Sequence, residues 1–200
     1  MVKIMIDKSP KQIAEYSARY NYEFWQLRTP LTRFALAGVP YGLDNGCFTE
    51  FDYKTWKKLL ADAISNQPVF VCMPDIVGDA RRTREMFDYF YEDARPLPKA
   101  FVLQDGIENV DIPWRHIKAV FVGGSDAFKH SPTAFNACKA AKMCGKWIHV
   151  GRVNTVERMR AWMDYADSID GTGLIHDPLK MARVLDVIRG EHPQKEIFTA

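Results

Sequence analysis

Short apolar runs recur along the chain and predict strands. Runs of this length, rich in β-branched and apolar residues and bounded by Gly, Pro, Asp or Asn, are typical of strands buried on both faces. They cover residues 2–6, 41–43, 69–73, 100–103, 119–122, 147–150 and 168–169. The segment 21–40 follows neither a strand nor a helix period, and we interpret it as a loop with room for one short strand.

Stretches with a helical period lie between these runs. After Asp52, which is a good N-cap residue, apolar residues fall at the spacing of one helix face. That face consists of Trp56, Leu59, Leu60, Ala63 and Ile64. Three further helix starts are predicted where a capping side chain precedes a proline, because the missing N–H of proline costs nothing at the first helical position. They are Ser9-Pro10, Ser131-Pro132 and Asp177-Pro178.

Smaller signals mark other turns and helix ends. Asn154 with Glu157 three residues later predicts a variant of the capping box. Asp79 is likewise interpreted as a turn or cap residue. Gly145 and Gly190 stand where a left-handed residue ends a helix, a conformation that glycine adopts cheaply.

The alternation of strands and helices predicts one parallel sheet with helices packed outside it. Strand starts recur roughly every 20–30 residues, so the 200 residues hold about seven or eight β-α units. We therefore predict an α/β fold with a single domain over residues 1–200, a compact (β/α)8 TIM-like barrel. An open doubly wound sheet is the alternative, since element order does not show whether the sheet closes.

Composition narrows the class of protein. With 47% hydrophobic residues the chain can build a sizeable core, which excludes disorder. The 27 Lys and Arg nearly balance 25 Asp and Glu, so contact with a polynucleotide must rest on a local basic cluster. No signal peptide and no apolar run of ~18 residues is found, which predicts a soluble cytoplasmic protein without membrane contact.

The cysteines predict neither disulfides nor a metal site. They are few and scattered, no CxxC pair occurs, and the two nearest along a helix fall on different faces, so reduced, buried thiols are expected. The four are Cys47, Cys72, Cys138 and Cys144. We predict no metal and no cofactor.

A small polar cluster follows nearly every predicted strand. Because βα loops converge at the carboxyl ends of parallel strands, these clusters predict one shared pocket. Any one of them can also be explained as a turn. A turn or cap role explains Asp44 and Asp170 least well, because each precedes a glycine-bearing turn that lies well before a helix begins. The clusters are residues 44–46, 74–75, 104–106, 123–125, 151–152 and 170–172.

Two carboxylates that face one cavity suit glycosyl chemistry, in which one attacks an anomeric carbon while the other moves protons. The pair Gly123-Gly124 would let backbone amides approach a flat ligand. Arg152 opens a loop on the same face and can contact phosphate. A second basic stretch, residues 81–84, is explained more simply as a solvated helix face.

Four motifs fall in order at these strand ends: Leu-Asp-Asn-Gly-Cys-Phe at 43–48, Val-Leu-Gln-Asp-Gly at 102–106, Val-Gly-Gly-Ser at 122–125 and Asp-Ser-Ile-Asp at 167–170. Together they resemble the Asp-Ser-Gly-Gly-aromatic, Val-Gln-Gly-Gly, second Gly-Gly and Asp-x-x-Asp segments of the tRNA-guanine transglycosylase (queuine tRNA-ribosyltransferase) superfamily. The resemblance is greatest to its short phage-type members, which insert 7-deazaguanine bases into DNA.

The resemblance implies a (β/α)8 barrel that flips a guanine nucleotide out of its strand. Asp170 would attack C1′ and expel the base, Asp44 would handle protons, and a 7-deazaguanine base would take the vacated place. Asp75 and Gln104 would bind the polar edge of the base, Phe48 would stack on one face and His149 would cover the other. The residues expected to bind substrate are thus Asn45, Phe48, Asp75, Gln104, Gly123, Gly124, His149 and Arg152.

The chain departs from the tRNA-modifying members of that superfamily. Those enzymes are longer and carry a Cys-x-Cys-x-x-Cys plus His zinc site after the nucleophile, whereas here no cysteine follows Asp170. DNA is therefore the favoured polynucleotide. A tRNA-type exchange enzyme, a base-removing glycosylase and a non-catalytic nucleic-acid-binding paralogue remain alternatives, and a homodimer stays open. The presence of both Asp44 and Asp170 speaks against the non-catalytic paralogue.

Overall fold

Eight parallel strands close into a barrel in a computed structural model of the chain, which describes residues 1–191. Strands that are neighbours in sequence are neighbours in the barrel, and β1 pairs with β8 through Lys3↔Ser168, Ile4↔Ile169 and Met5↔Asp170. The strands are β1 Lys3–Ile6, β2 Trp25–Arg28, β3 Tyr41–Leu43, β4 Phe70–Cys72, β5 Lys99–Leu103, β6 Ala119–Val122, β7 Trp147–Val150 and β8 Ser168–Asp170. The predicted (β/α)8 barrel is confirmed, and the open sheet is excluded.

Helices surround the barrel. They are α1 Pro10–Tyr20, α2 Tyr53–Ser65, α3 Ala80–Phe90, α4 Asp126–Lys129, α5 Pro132–Met143, α6 Val156–Trp162, α7 Thr172–Ile175 and α8 Pro178–Arg189, with 3₁₀ turns at Glu92–Ala94, Ile107–Asn109 and Trp114–His116. Within residues 1–191 no helix has the length and apolar character needed to cross a membrane. The last nine residues of the predicted domain, 192–200, lie outside the described range.

Most predicted helix starts are confirmed by their caps. The side chains of Ser9, Asp52, Asp79 and Ser131 each accept a backbone N–H of the first turn, as does Asp177 before α8. Each bond satisfies a donor that the helix itself leaves without a partner. Gly145 and Gly190 have the left-handed φ values of 63° and 74° that end α5 and α8.

The capping box predicted at Asn154 is wrong. Thr155 caps α6 instead, by accepting the N–H of Arg158. The Oδ1 atom of Asn154 accepts the N–H of Gly173, 2.8 Å away in the segment that follows β8. Asn154 therefore ties two βα loops together rather than starting a helix.

Strand β2 lies inside the segment 21–40, which has no clear period. The polar residue Gln26 interrupts its apolar pattern, yet Gln26 is fully buried. Its Nε2 atom donates to the carbonyls of Lys8 and Ala35, at 2.9 and 3.0 Å, so the amide is held inside the protein by hydrogen bonds.

Large side chains fill the amino-terminal half of the barrel interior. Met5, Leu27 and Phe70 form a buried cluster with Ala100 and Ala119. Glycine is required at position 42 in β3, because a Cβ atom there would lie 2.5 Å from the Phe70 ring. Below this cluster the rings of Trp25 and Trp147 stack with their centres 5.7 Å apart. The space that remains lies toward the carboxyl ends of the strands.

Candidate active site

One cavity of about 440 Å³ opens among the carboxyl ends of the strands. Nine of the ten site residues predicted from the sequence line it: Asp44, Asn45, Phe48, Asp75, Gln104, Gly123, Gly124, Arg152 and Asp170. Its floor is the top of the barrel core, where Met5, Leu27, Cys72, Val102 and Phe121 lie. A cavity of this size, with an apolar floor and polar walls, is typical of small-molecule sites.

Asp170 ends β8 and holds its carboxylate against two donors. The Nε2 atom of His149 lies 3.0 Å from Oδ2, and the backbone N–H of Arg152 donates to Oδ1 over 3.1 Å. Burial alone would raise the pKa of this carboxyl, but the interactions with His149, followed by the Arg152 N–H and Lys129, outweigh it and lower the pKa. Asp170 is therefore ionised at neutral pH, and 14% of its side chain is exposed in the cavity.

His149 does not line the cavity, which disagrees with the role implied for it as a cover for the base. Its side chain is fully buried in the barrel interior, beneath Asp170 and between the rings of Phe70 and Phe121. The strand alternation explains this position, because His149 points inward from β7, one level below Gly151, which directly follows the strand. A ligand in the cavity meets Asp170, and His149 acts on that carboxylate from below.

Asp44 follows β3 and lines the cavity with Asp170. Burial raises its pKa, and the negative charge of Asp170 raises it further. The N–H of Gly46, which donates to Asp44 Oδ1 over 3.1 Å, only partly offsets these effects. Asp44 thus holds a proton to higher pH than an ordinary aspartate does.

The two carboxyl groups line one cavity, but Asp170 favours the ionised form and Asp44 favours the protonated form. Asp170 has a lowered pKa because donors surround it, and Asp44 has a raised pKa because burial dominates. Carboxyl pairs whose pKa values are separated in this way divide the work of acid–base and nucleophilic catalysis. The arrangement can supply a carboxylate nucleophile and a carboxylic acid to one bound molecule.

A buried network joins Asn45, Asp75 and Gln104 on another wall. Asp75 Oδ1 accepts Asn45 Nδ2 over 2.7 Å, and Oδ2 accepts Gln104 Nε2 over 2.6 Å. The Oε1 atom of Gln104 in turn accepts the N–H of Gly78, which fixes the orientation of the amide. Burial raises the pKa of Asp75 to about 6, with the charge of Asp44 adding to it. The wall offers carboxylate and amide groups in one fixed orientation.

Gly123 and Gly124 line the cavity with their backbone. A Cβ atom on Gly123 would lie 2.8 Å from Gln104 Nε2, so glycine at 123 makes room for the network. Gly124 has a φ of 73°, a left-handed conformation that favours glycine. The N–H of Gly123 donates to the Leu103 carbonyl as part of the barrel, so this amide is engaged within the protein rather than directed at a ligand.

Phe48 and Arg152 meet at the mouth of the cavity. Phe48 is 64% exposed, and the guanidinium of Arg152 lies 4.3 Å from the centre of its ring. Arg152 Nη2 also donates to the Gly124 carbonyl over 3.1 Å. An aromatic face and a cation are thus presented together at the mouth of the cavity.

The basic stretch at the start of α3 is a solvated helix face. Arg81 pairs with Glu85 and Arg84 pairs with Asp88, both at i, i+4 spacing. These pairs neutralise much of the local positive charge. Arg82 is exposed on the same helix.

Four ionisable residues of the cavity were not singled out in the sequence: Asp7, Lys8, Lys129 and His176. Lys129 is the most notable, because it is only 3% exposed and donates to the Gly151 carbonyl. Burial and the charge of Arg152 lower its pKa to about 8. The available signal in the sequence was a lysine that follows a glycine-rich strand end. The burial of Lys129, however, depends on contacts between α4 and the end of β7, which the sequence does not show.

The thiols show no metal site. Burial raises the pKa of Cys47 to about 12, and its sulfur accepts the N–H of Asp75. Cys72 lies in the floor of the cavity, with its pKa also raised by burial. Within the described residues no group of three or more His, Cys, Asp or Glu side chains is placed to hold a metal ion.

No protein-family model and no curated protein matches the chain. Among solved structures, a candidate dehydratase from Mesorhizobium loti aligns at 11% identity over 84% of this chain, with a TM-score of 0.53. The alignment covers 54% of that protein, so this chain spans about half its length. A protein from Aquifex aeolicus VF5 aligns at 14% identity over 76% of this chain and 58% of its own, with a TM-score of 0.38. The first likeness is one of fold alone, that of a TIM barrel.

Proposed function

We propose that this protein is a transglycosylase that exchanges guanine in DNA for a 7-deazaguanine base through a covalent aspartyl-glycosyl intermediate. The observation that carries the proposal is the pair Asp44 and Asp170, which line one cavity with pKa values shifted in opposite directions. The motif resemblance supplies the substrate class, and the closed barrel agrees with the fold it implies.

In the first half-reaction, a carboxylate oxygen of Asp170 attacks C1′ of the flipped nucleotide. The C1′–N9 bond breaks and its electron pair goes to the guanine. The proton that Asp44 holds is transferred to the departing base, which leaves Asp44 ionised. His149 and the Arg152 amide hold the Asp170 carboxylate in place for this attack.

In the second half-reaction, the 7-deazaguanine base gives the proton on N9 to the Asp44 carboxylate and attacks C1′ through N9. The bond between C1′ and the Asp170 oxygen breaks, and the carboxylate is regenerated. Two inversions give net retention at C1′, as in retaining glycosidases. Asp44 is protonated again, so the cycle closes without cofactor or metal.

The network of Asp75 and Gln104 suits the polar edge of guanine. A carboxylate has about four acceptor sites, and Asn45 and Gln104 use two of those on Asp75. The remaining sites can accept the N1–H and exocyclic amine of the base, groups that 7-deazaguanine shares with guanine. Phe48 offers an aromatic face for stacking near the mouth.

Incorporation of a labelled base tests the proposal. The protein and labelled 7-deazaguanine are incubated in three separate reactions, each with one guanine-containing nucleic acid. The three are duplex DNA, single-stranded DNA and tRNA. We expect labelling of DNA, fastest in single strands because flipping there costs least. Asp170→Asn should abolish it. Asp167→Asn is the matched control, since Asp167 lies at the opposite end of β8, where it accepts the N–H of Ile148.

Three outcomes would overturn parts of the proposal. Labelling of tRNA, with no labelling of duplex or single-stranded DNA, would make tRNA the polynucleotide substrate and would leave the proposed mechanism unchanged. Release of guanine without uptake of label would identify a base-removing glycosylase. Binding of DNA without release or uptake would identify a non-catalytic binding protein.

A further inference from the structure

A chain of hydrogen bonds crosses the barrel from its amino-terminal end to Asp170. The indole Nε1 of Trp147 donates to Ser168 Oγ over 2.8 Å. Ser168 Oγ lies 2.8 Å from His149 Nδ1, and His149 Nε2 lies 3.0 Å from Asp170 Oδ2. Ser168 and His149 are fully buried, so water does not compete for these bonds.

The two ends of this chain fix its direction. The indole N–H of Trp147 can only donate, and an ionised carboxylate at Asp170 can only accept. Ser168 Oγ must therefore accept from Trp147, which leaves its own hydroxyl proton to donate to Nδ1 of His149. The ring proton of His149 then lies on Nε2, where it faces Asp170.

A second proton on the imidazole would break this pattern. With Nδ1 also protonated, Ser168 would receive two donors, and its own hydroxyl would point at no acceptor. Among the described residues, Ser168 Oγ has no hydrogen-bond partner besides Trp147 and His149. Leaving a buried hydroxyl without an acceptor costs free energy, so the network favours the singly protonated ring.

We propose that Trp147 and Ser168 are positioning residues that fix the single ring proton of His149 on Nε2 and so aim a hydrogen-bond donor at Asp170. Neither residue lines the cavity, and each acts through the next. Without the Ser168 hydroxyl, Nδ1 of the imidazole loses its hydrogen-bond partner, and only the bond from Nε2 to Asp170 orients the ring. The donor that favours the ionised form of the nucleophile would then be aimed less well.

The tautomer can be measured directly. In protein carrying ¹⁵N-labelled histidine, nitrogen NMR at neutral pH should show His149 with a protonated Nε2 and an unprotonated Nδ1. The signals are assigned by their loss in His149→Gln. Ser168→Ala and Trp147→Phe should each move the Nδ1 signal, because the first removes the hydrogen bond that Nδ1 accepts and the second frees Ser168 from its other partner.

Trp56→Phe is the matched control for Trp147→Phe. Trp56 is fully buried whereas Trp147 is half-buried, and the Nε1 of Trp56 has no hydrogen-bond partner within residues 1–191. From α2, Trp56 packs on Phe51 and Phe90. Removing its N–H should leave the His149 signals unchanged. Trp147→Phe also keeps the test valid if Ser168→Ala fails to fold.

The effect on Asp170 rests on the proposed function and is measured separately. In a single turnover, the acid limb of guanine release should move up in Ser168→Ala by as much as about one pH unit, since the hydrogen bond from His149 to the charged carboxylate is worth roughly that shift and would be aimed less well. The other groups that act on Asp170 stay constant between variants. They are Lys129, the Arg152 amide and Asp44. The other ionisable side chains that line the cavity are also the same in every variant, namely Asp7, Lys8, Asp75 and His176.

The two measurements separate the two ideas. A doubly protonated or Nδ1-protonated His149 in the wild type would overturn the tautomer, and so would variants that leave the ring unchanged. A changed Nδ1 signal in Ser168→Ala with an unmoved acid limb would overturn the coupling to Asp170. The expected tautomer in a protein that releases no guanine would support the network and refute the proposed function.

Discussion

The guanidinium of Arg152 lies 4.3 Å from the centre of the Phe48 ring, so the loop after β7 meets the loop after β3 across the mouth of the cavity. Arg152 holds this position with a φ of 59°, a left-handed conformation that is uncommon for residues other than glycine. Its own N–H donates to Asp170. One strained residue therefore links the mouth of the cavity to the carboxylate proposed as nucleophile.

Loss of the Arg152 guanidinium should weaken polynucleotide binding. Each phosphate that a protein neutralises adds about one unit to the slope of log affinity against log salt. We expect Arg152→Ala to lower the affinity for a single-stranded oligonucleotide and to reduce that slope by about one. Arg81→Ala is the control, because Arg81 already pairs with Glu85 on an exposed face. Equal losses of slope in both variants would show that Arg152 has no special part in binding.

Asp170→Asn should fold and form no covalent adduct. An amide oxygen is too weak a nucleophile for C1′, so the rate of guanine release should fall by more than about a thousandfold. Denaturing electrophoresis and intact-mass analysis, after incubation with oligonucleotide and no incoming base, report the adduct directly. Adduct at the wild-type level in this variant would remove Asp170 from the role.

Local sequence signals predicted much of the fold. The runs 41–43, 119–122 and 147–150 coincide with β3, β6 and β7, since a short, mostly apolar run between turn residues is typical of a buried strand. Helix starts at Ser9 and Ser131 were also predictable, because a cap depends only on neighbours in sequence. The glycines and carboxylates at strand ends identified the shared cavity because the βα loops of a parallel barrel converge at one face.

Features that depend on distant contacts were predicted only in part. Strand β2 is hidden because Gln26 is buried by bonds to Lys8 and Ala35, which no local pattern shows. Closure of the barrel required the pairing of β1 with β8. The place of His149 below Asp170, and of Lys129 in the cavity wall, follows from side-chain packing between strands that lie far apart in sequence.

The pH dependence of guanine release should be bell-shaped. Asp170 must be ionised to attack, and its lowered pKa places the acid limb below the ordinary range for aspartate. Asp44 must be protonated to donate its proton to the leaving base, so the basic limb should follow the raised pKa of Asp44. Asp44→Asn should remove that limb and slow release by about 10²–10⁴-fold. A basic limb that survives in this variant would assign the proton to another group.

The purified protein should contain well under one zinc ion per chain and keep its fold in chelator. The thiols lack the spacing of a zinc site, and no cluster of three ligands occurs in residues 1–191. Elemental analysis after dialysis, with circular dichroism before and after chelation, measures both properties. Stoichiometric zinc together with unfolding on its removal would contradict the prediction.

Asp75 should make the protein less stable as pH rises toward neutrality. Folding raises its pKa from 3.8 to about 6, so the folded chain binds this proton more tightly than the unfolded chain does. The contribution to the free energy of unfolding is therefore fully present below about pH 4 and is lost as pH rises through about 6, a change on the order of 3 kcal/mol. Urea unfolding of wild type and Asp75→Asn should then give a difference in the free energy of unfolding that favours the variant more at pH 7 than at pH 4.

Asp52→Asn is the control. The Thr55 hydroxyl lowers the pKa of Asp52, so the free energy of unfolding of this variant should differ from that of wild type by the same amount between pH 5 and 7. A level difference for Asp75→Asn over the same range would show that Asp75 is ionised in the folded protein at pH 5 already.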